Sequence, residues 1–160
     1  MGLENEEKQE PLFLTGIPGI DAQHKEWFLL CDSLIDSLEK GTISFDLQYS
    51  LIQDLLERMK THFVTEDNLM EMISFPKSAE HKAAHNDFFT RLAKEADAHK
   101  SNESSGNGNS GLSGFLRSLL EEIREHIAVF DKELTIHIES LMSLRKKYNI
   151  TALKAQVLIE

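Results

Sequence analysis

A chain of 160 residues, 41% hydrophobic and 28% charged, has the size and composition of one soluble globular domain that can bury a core without disulfides. Its net charge of −10 sets it against nucleic acid and anionic membrane surfaces, and no apolar run approaches the roughly 18–20 residues of a membrane helix. The single cysteine, Cys31, excludes an intrachain disulfide and fits a reducing cytoplasm, and the acidic start (Met1 to Glu7) lacks the basic and apolar regions of a secretory signal.

Residues 1–11 read as a flexible acidic arm. Gly16-Ile17-Pro18-Gly19-Ile20 then predicts a turn, with Asp21 as N-cap of the first helix. That helix runs to about residue 40 on Trp27, Phe28, Leu30, Cys31, Leu34, Ile35 and Leu38, spaced by threes and fours, and Gly41 ends it. A second helix is expected over 45–73, with a stripe that includes Leu47, Leu55, Met59, Phe63, Met70 and Ile73. Phe75-Pro76 breaks it. Met59, Met70 and Met72 read as core filler, and Cys31 as buried and inert.

A third helix is expected over 77–99. Residues 100–111 are Ser, Asn and Gly rich and read as a flexible loop. A fourth helix is expected over 112–147, with Leu116 to Leu144 as its stripe. Residues 148–160 form a tail able to add a short helix outside the bundle. The expectation is an all-α fold: an up-down-up-down four-helix bundle over residues 12–147 with a short C-terminal extension.

Each helix also carries histidine on its inner face. His24 lies early on the first. His62 and Glu66, four apart, share a face of the second, as do His81 and His85 on the third. His126 and Asp131 on the fourth are five apart, about 140° around an ideal helix, and converge only if Asp131 reaches back. One inward histidine is usually a hydrogen-bonded core residue, but five of the chain's seven fall on this pattern. His99 and His137 do not, and are expected at the surface. Imidazole suits iron, copper and zinc, and carboxylates bridge cations. Seven side chains exceed the needs of one ion but fit two six-coordinate irons, with room for a bridging oxygen and one open position.

These residues resemble the hemerythrin family, especially its bacterial members. The stretch Gly16-Ile17-Pro18-Gly19-Ile20-Asp21-Ala22-Gln23-His24-Lys25 is similar to the family's opening motif. His62-Phe63-Val64-Thr65-Glu66-Asp67-Asn68-Leu69-Met70 is similar to its second-helix motif, His81 with His85 to its third, and His126 with Asp131 to its fourth. The resemblance covers residues 12–147. It implies two irons with an oxo or hydroxo bridge and dioxygen as ligand. His81, His85 and His126 would complete one iron, His24 and His62 would hold the other, and Glu66 and Asp131 would bridge them.

Ile123 would line the oxygen pocket, as Leu or Ile does in the family. Glu122 stands where the family often has Trp. It either turns to solvent beside Glu121 and Glu125 or brings a carboxylate to the pocket, paired with Arg58. The resemblance thus implies a non-enzymatic oxygen-binding protein for storage, transport or scavenging, with dioxygen as its partner and no protein partner indicated. An oxygen, iron or redox sensor acting through a partner is the alternative. So are a di-iron enzyme handling peroxide or nitric oxide, and a zinc or manganese site.

Overall fold

The computed structural model of the chain describes residues 14–101 and 108–148. The elements are α1 (Pro18–Lys40), α2 (Phe45–Met72), α3 (Ser78–Ser101), α4 (Gly108–His126), a π turn (Ile127–Asp131) and α5 (Lys132–Tyr148), which continues α4 beyond the turn. No strand occurs among the described residues, and none of their helices is long and apolar enough to cross a membrane. α1 packs on α2 and α4, α2 on α3, and α3 on α4, so four rods close a ring. The all-α bundle expected from the periodicity is what forms.

Local chemistry sets the helix ends. Pro18 opens α1, where its missing N–H costs nothing and its fixed φ suits the helix. Asp21 is not the N-cap: Ile17 holds that position, with no side-chain cap. Asp21 lies one turn inside and reaches back, accepting from the Thr15 N–H (2.7 Å), the Thr15 hydroxyl (2.8 Å) and the Gly16 N–H (3.1 Å). It therefore pins the approaching chain, which passes through a left-handed Gly16 (φ 87°). At the other end Gly41 is left-handed (φ 61°), and the N–H groups of Gly41 and Thr42 close on Leu38 and Ser37 carbonyls. Ser44 then caps α2, accepting from the Leu47 N–H at 3.3 Å.

The expected 100–111 loop is shorter than its composition suggests. Lys100 and Ser101 extend α3, and Gly108 to Gly111 already belong to α4. The expected arm at 1–11 and the tail beyond Tyr148 lie outside the described residues.

The core falls into two apolar clusters. The larger joins Trp27 through Leu38 of α1, Ile52 to Phe63 of α2, Phe88, Leu92 and Ala96 of α3, and Leu112 to Ile127 of the last helix. The smaller joins Ile20, Leu69, Met70, Phe75, Leu134 and Ile138. Cys31 is buried as expected, and burial pushes its thiol up to about 12, with Asp32 adding to the rise. Three expected stripe or core residues are exposed instead: Leu47, Met72 and Leu144. Each sits at a helix end, where the helix overhangs its neighbours.

Candidate metal centre

Between the two clusters lies a polar layer. His24 on α1, His62 and Glu66 on α2, His81 and His85 on α3, His126 at the end of α4 and Asp131 at the end of the π turn are all buried. All seven expected residues are thus brought together.

The awkward spacing of His126 and Asp131 has a backbone solution. In the π turn the Lys132 N–H bonds back to the Ile127 carbonyl, five residues earlier. A turn closed at i→i+5 holds one residue more than an α turn and sets residue i+5 nearly over residue i. His126 Nε2 therefore lies 3.2 Å from Asp131 Oδ1.

The donor atoms form two groups that share both carboxylates. One is Glu66, His81, His85, His126 and Asp131; the other is His24, His62, Glu66 and Asp131. Nε2 of His81 is 3.0 Å from that of His126 and 3.0 Å from Asp131 Oδ1, and His85 Nε2 is 3.1 Å from Glu66 Oε2. In the second group Nε2 of His24 is 3.2 Å from that of His62 and 3.4 Å from Asp131 Oδ2.

These spacings suit a cation. Ligands about 2.1 Å from an ion, at right angles to one another, stand about 3 Å apart. The carboxylates point the same way: all four oxygens of Glu66 and Asp131 are buried without a well-formed hydrogen bond, as is His85 Nε2. Buried charge left so is costly unless a cation offsets it.

The electrostatics of the empty-handed side chains agree. Burial works against the charge on Glu66, yet His62, His81 and His85 hold its carboxyl well below the usual range. Burial and the facing Glu66 also work against Asp131, which His126 and His81 nevertheless keep low. Burial opposes a charge on His81 too, but the two carboxylates on either side raise it to about 9. His62, in contrast, is pushed down to about 4 by burial, against the pull of Glu66. A proton on His81 thus supplies part of the positive charge that a metal would bring.

Two residues of the site escape a reading based on helical faces. Gln23 Oε1 accepts from His62 Nδ1 at 3.0 Å, and Asp67 Oδ1 accepts from His85 Nδ1 at 3.2 Å. Each bond leaves the imidazole's Nε2 lone pair directed inward. Gln23 and Asp67 adjoin His24 and Glu66 in sequence, about 100° off the inner face, so periodicity places them toward solvent. Rings fix the rest: Phe63 stacks on His85 at 4.0 Å, Trp27 lies 5.1 Å from His62, and Phe130 stacks on His126 at 5.0 Å.

Ile123 is buried in the larger cluster, one turn before His126. Glu122 does not pair with Arg58, which bonds Asp54 and Glu26. Arg91 of α3 grips it with both terminal nitrogens, at 3.0 and 2.6 Å, and its side chain is 40% exposed.

Neither a curated protein nor a solved structure matches the chain. The family model for the hemerythrin HHE cation-binding domain matches residues 15–135, a span that holds all seven buried candidate ligands and the turn joining the last two. By that match, over most of its length, the chain belongs to the hemerythrin HHE cation-binding domain family.

Proposed function

We propose that the chain holds two irons between its helices and binds dioxygen reversibly, for storage, transport or scavenging. The observation that carries this reading is the unequal division of the buried ligands: three imidazoles in one group, two in the other, and both carboxylates in each. With Glu66 and Asp131 bridging, His81, His85 and His126 complete one position. His24 and His62 would hold the other with one donor fewer, which would leave room there for an outside ligand such as dioxygen.

When bound, the irons supply the Lewis acidity and electrons that dioxygen binding requires. The side chains do the remaining work. Glu66 and Asp131 hold the pair together and offset its charge. Trp27, Phe63, Ile123 and Ile127, all buried beside the ligand layer, exclude water from it and so limit proton access. Glu122 is turned toward Arg91 at the α3–α4 edge, which keeps its carboxylate paired and out of the apolar wall. On this reading the protein is a cytoplasmic binding protein, not an enzyme.

The test is anaerobic loading with ferrous iron, metal quantification, then oxygen addition and removal under the visible spectrum. Two irons per chain, with an absorption band that appears with oxygen and vanishes on its removal, is the expected result. Two irons oxidised at once and irreversibly would move the function to redox sensing or catalysis. Preferential, tighter uptake of zinc or manganese would overturn the iron assignment.

A further inference from the structure

We infer that Asp67 and Gln23 are positioning residues, Asp67 adding to the strength of the metal position already richer in imidazoles, so that this one, held by His81, His85 and His126, fills first. The inference rests on the reading of the seven residues as a two-metal site. It starts from what stands behind the rings. His85 donates its Nδ1–H to a carboxylate, while His62 donates to a neutral amide. The Nδ1 atoms of His81 and His126 have no hydrogen-bond partner among the described residues. Of these four rings, His85 is the one backed by a charged group, Asp67.

A carboxylate behind an imidazole fixes its tautomer and raises its basicity toward a metal; an amide fixes the tautomer with little added charge. Asp67 therefore strengthens the position already richer in imidazoles. Geometry supports a defined orientation on both sides. The His85 ring is clamped between the Asp67 bond and the Phe63 face, 12° from parallel. The Gln23 amide is turned by the Thr65 hydroxyl, which accepts from its Nε2 at 3.5 Å and itself donates to the Thr61 carbonyl at 2.8 Å. Gln23 therefore presents oxygen, not nitrogen, to His62.

Cobalt(II) titrated into the metal-free full-length chain tests this, followed by calorimetry and by the visible absorption of each bound ion. The expected result is two ions in two separable steps. Asp67→Asn weakens the tighter step by roughly 10–100-fold, alters its absorption band and leaves the weaker step unmoved. Asp67→Glu restores part of the loss. Gln23→Glu, which places a carboxylate behind His62, tightens the weaker step and narrows the gap. Far-ultraviolet dichroism checks that each variant folds, and the gain expected from Gln23→Glu does not depend on the fate of Asp67→Asn. Two ions binding in one unresolved step, or Asp67→Asn weakening both steps alike or neither, overturns the inference while leaving the two-metal site intact. Fewer than two ions in the unaltered chain overturns the site reading itself.

Discussion

Both ring nitrogens of His99 lie buried without a hydrogen-bond partner among the described residues, on a side chain 3% exposed and stacked on Phe45 at 4.6 Å. An unpaired buried polar group costs stability, and burial accordingly pushes this imidazole below its ordinary 6.5, with Glu95 opposing. Replacing it by an apolar side chain of similar size, His99→Leu, is predicted to stabilise the fold by about 1 kcal/mol, read as a urea midpoint. The pH dependence has a definite sign. The unfolded chain takes the proton first, so the His99 contribution falls as pH drops below 6.5. The advantage of the variant should therefore widen between pH 7 and 5; a constant or shrinking gap would refute the account. Expected at the surface, His99 is buried instead; that much was legible in its spacing with Leu92 and Ala96, by four and three along one face, and was missed. The Glu122–Arg91 pair was not legible, because it depends on which helices become neighbours.

Helix boundaries show what local sequence can and cannot carry. Gly41 and Phe75-Pro76 mark ends that form where expected, since one supplies a left-handed residue and the other forbids continuation. The end of α2 is less regular. Ser74 is left-handed (φ 53°), with its N–H on Glu71 and the Phe75 N–H on Met70, a closure that favours glycine. Ser74→Gly should raise stability by roughly 0.5–1 kcal/mol in thermal melts, because relief of the left-handed cost exceeds the added freedom of the unfolded chain. A lower melting point would show that the serine side chain earns its place.

The π turn is the element whose sign was present in the sequence but not decisive. Five residues between His126 and Asp131 is a misfit on an α-helix, and a turn with one extra residue resolves it. Val129, 53% exposed within that turn, packs little. Deleting it should restore a regular α-helix while leaving Leu134 and Ile138 on the core face. The prediction is unchanged helix content, a melting point no lower than before and metal loading that persists, as Asp131 would then follow His126 by four residues, on one face, as Glu66 follows His62. Collapse of the fold, or loss of metal binding, would show that the extra residue itself is needed.

Across the whole molecule, the order and amphipathic faces of four helices were readable, and so was the inward convergence of the seven polar side chains, because all but the His126–Asp131 step follow from steps of three and four. The supports behind the ligand rings were not, since they come from off-face residues next to the motif positions. A layer of five imidazoles and two carboxylates through the middle of a bundle weakens it unless cations are present. Loading with ferrous iron at about a hundred times the dissociation constant should add about 2.7 kcal/mol for each position filled, roughly 5–10 °C apiece in melting temperature, and a chelator should remove it. No shift in either direction would deny the layer a metal.

That layer also partitions cohesion. It leaves twenty buried apolar residues on one side and six on the other, among those described. The minor side is built from the start of α1, the α2–α3 turn and α5, and the ligand layer adjoins it. Losing the ions should free it first: amides near Ile20, Leu69, Met70, Leu134 and Ile138 would exchange with solvent ahead of those near Leu34, Ile52 and Leu116. Occupancy at the centre would thereby be written into the local breathing of one end of the molecule, at a distance from any ligand.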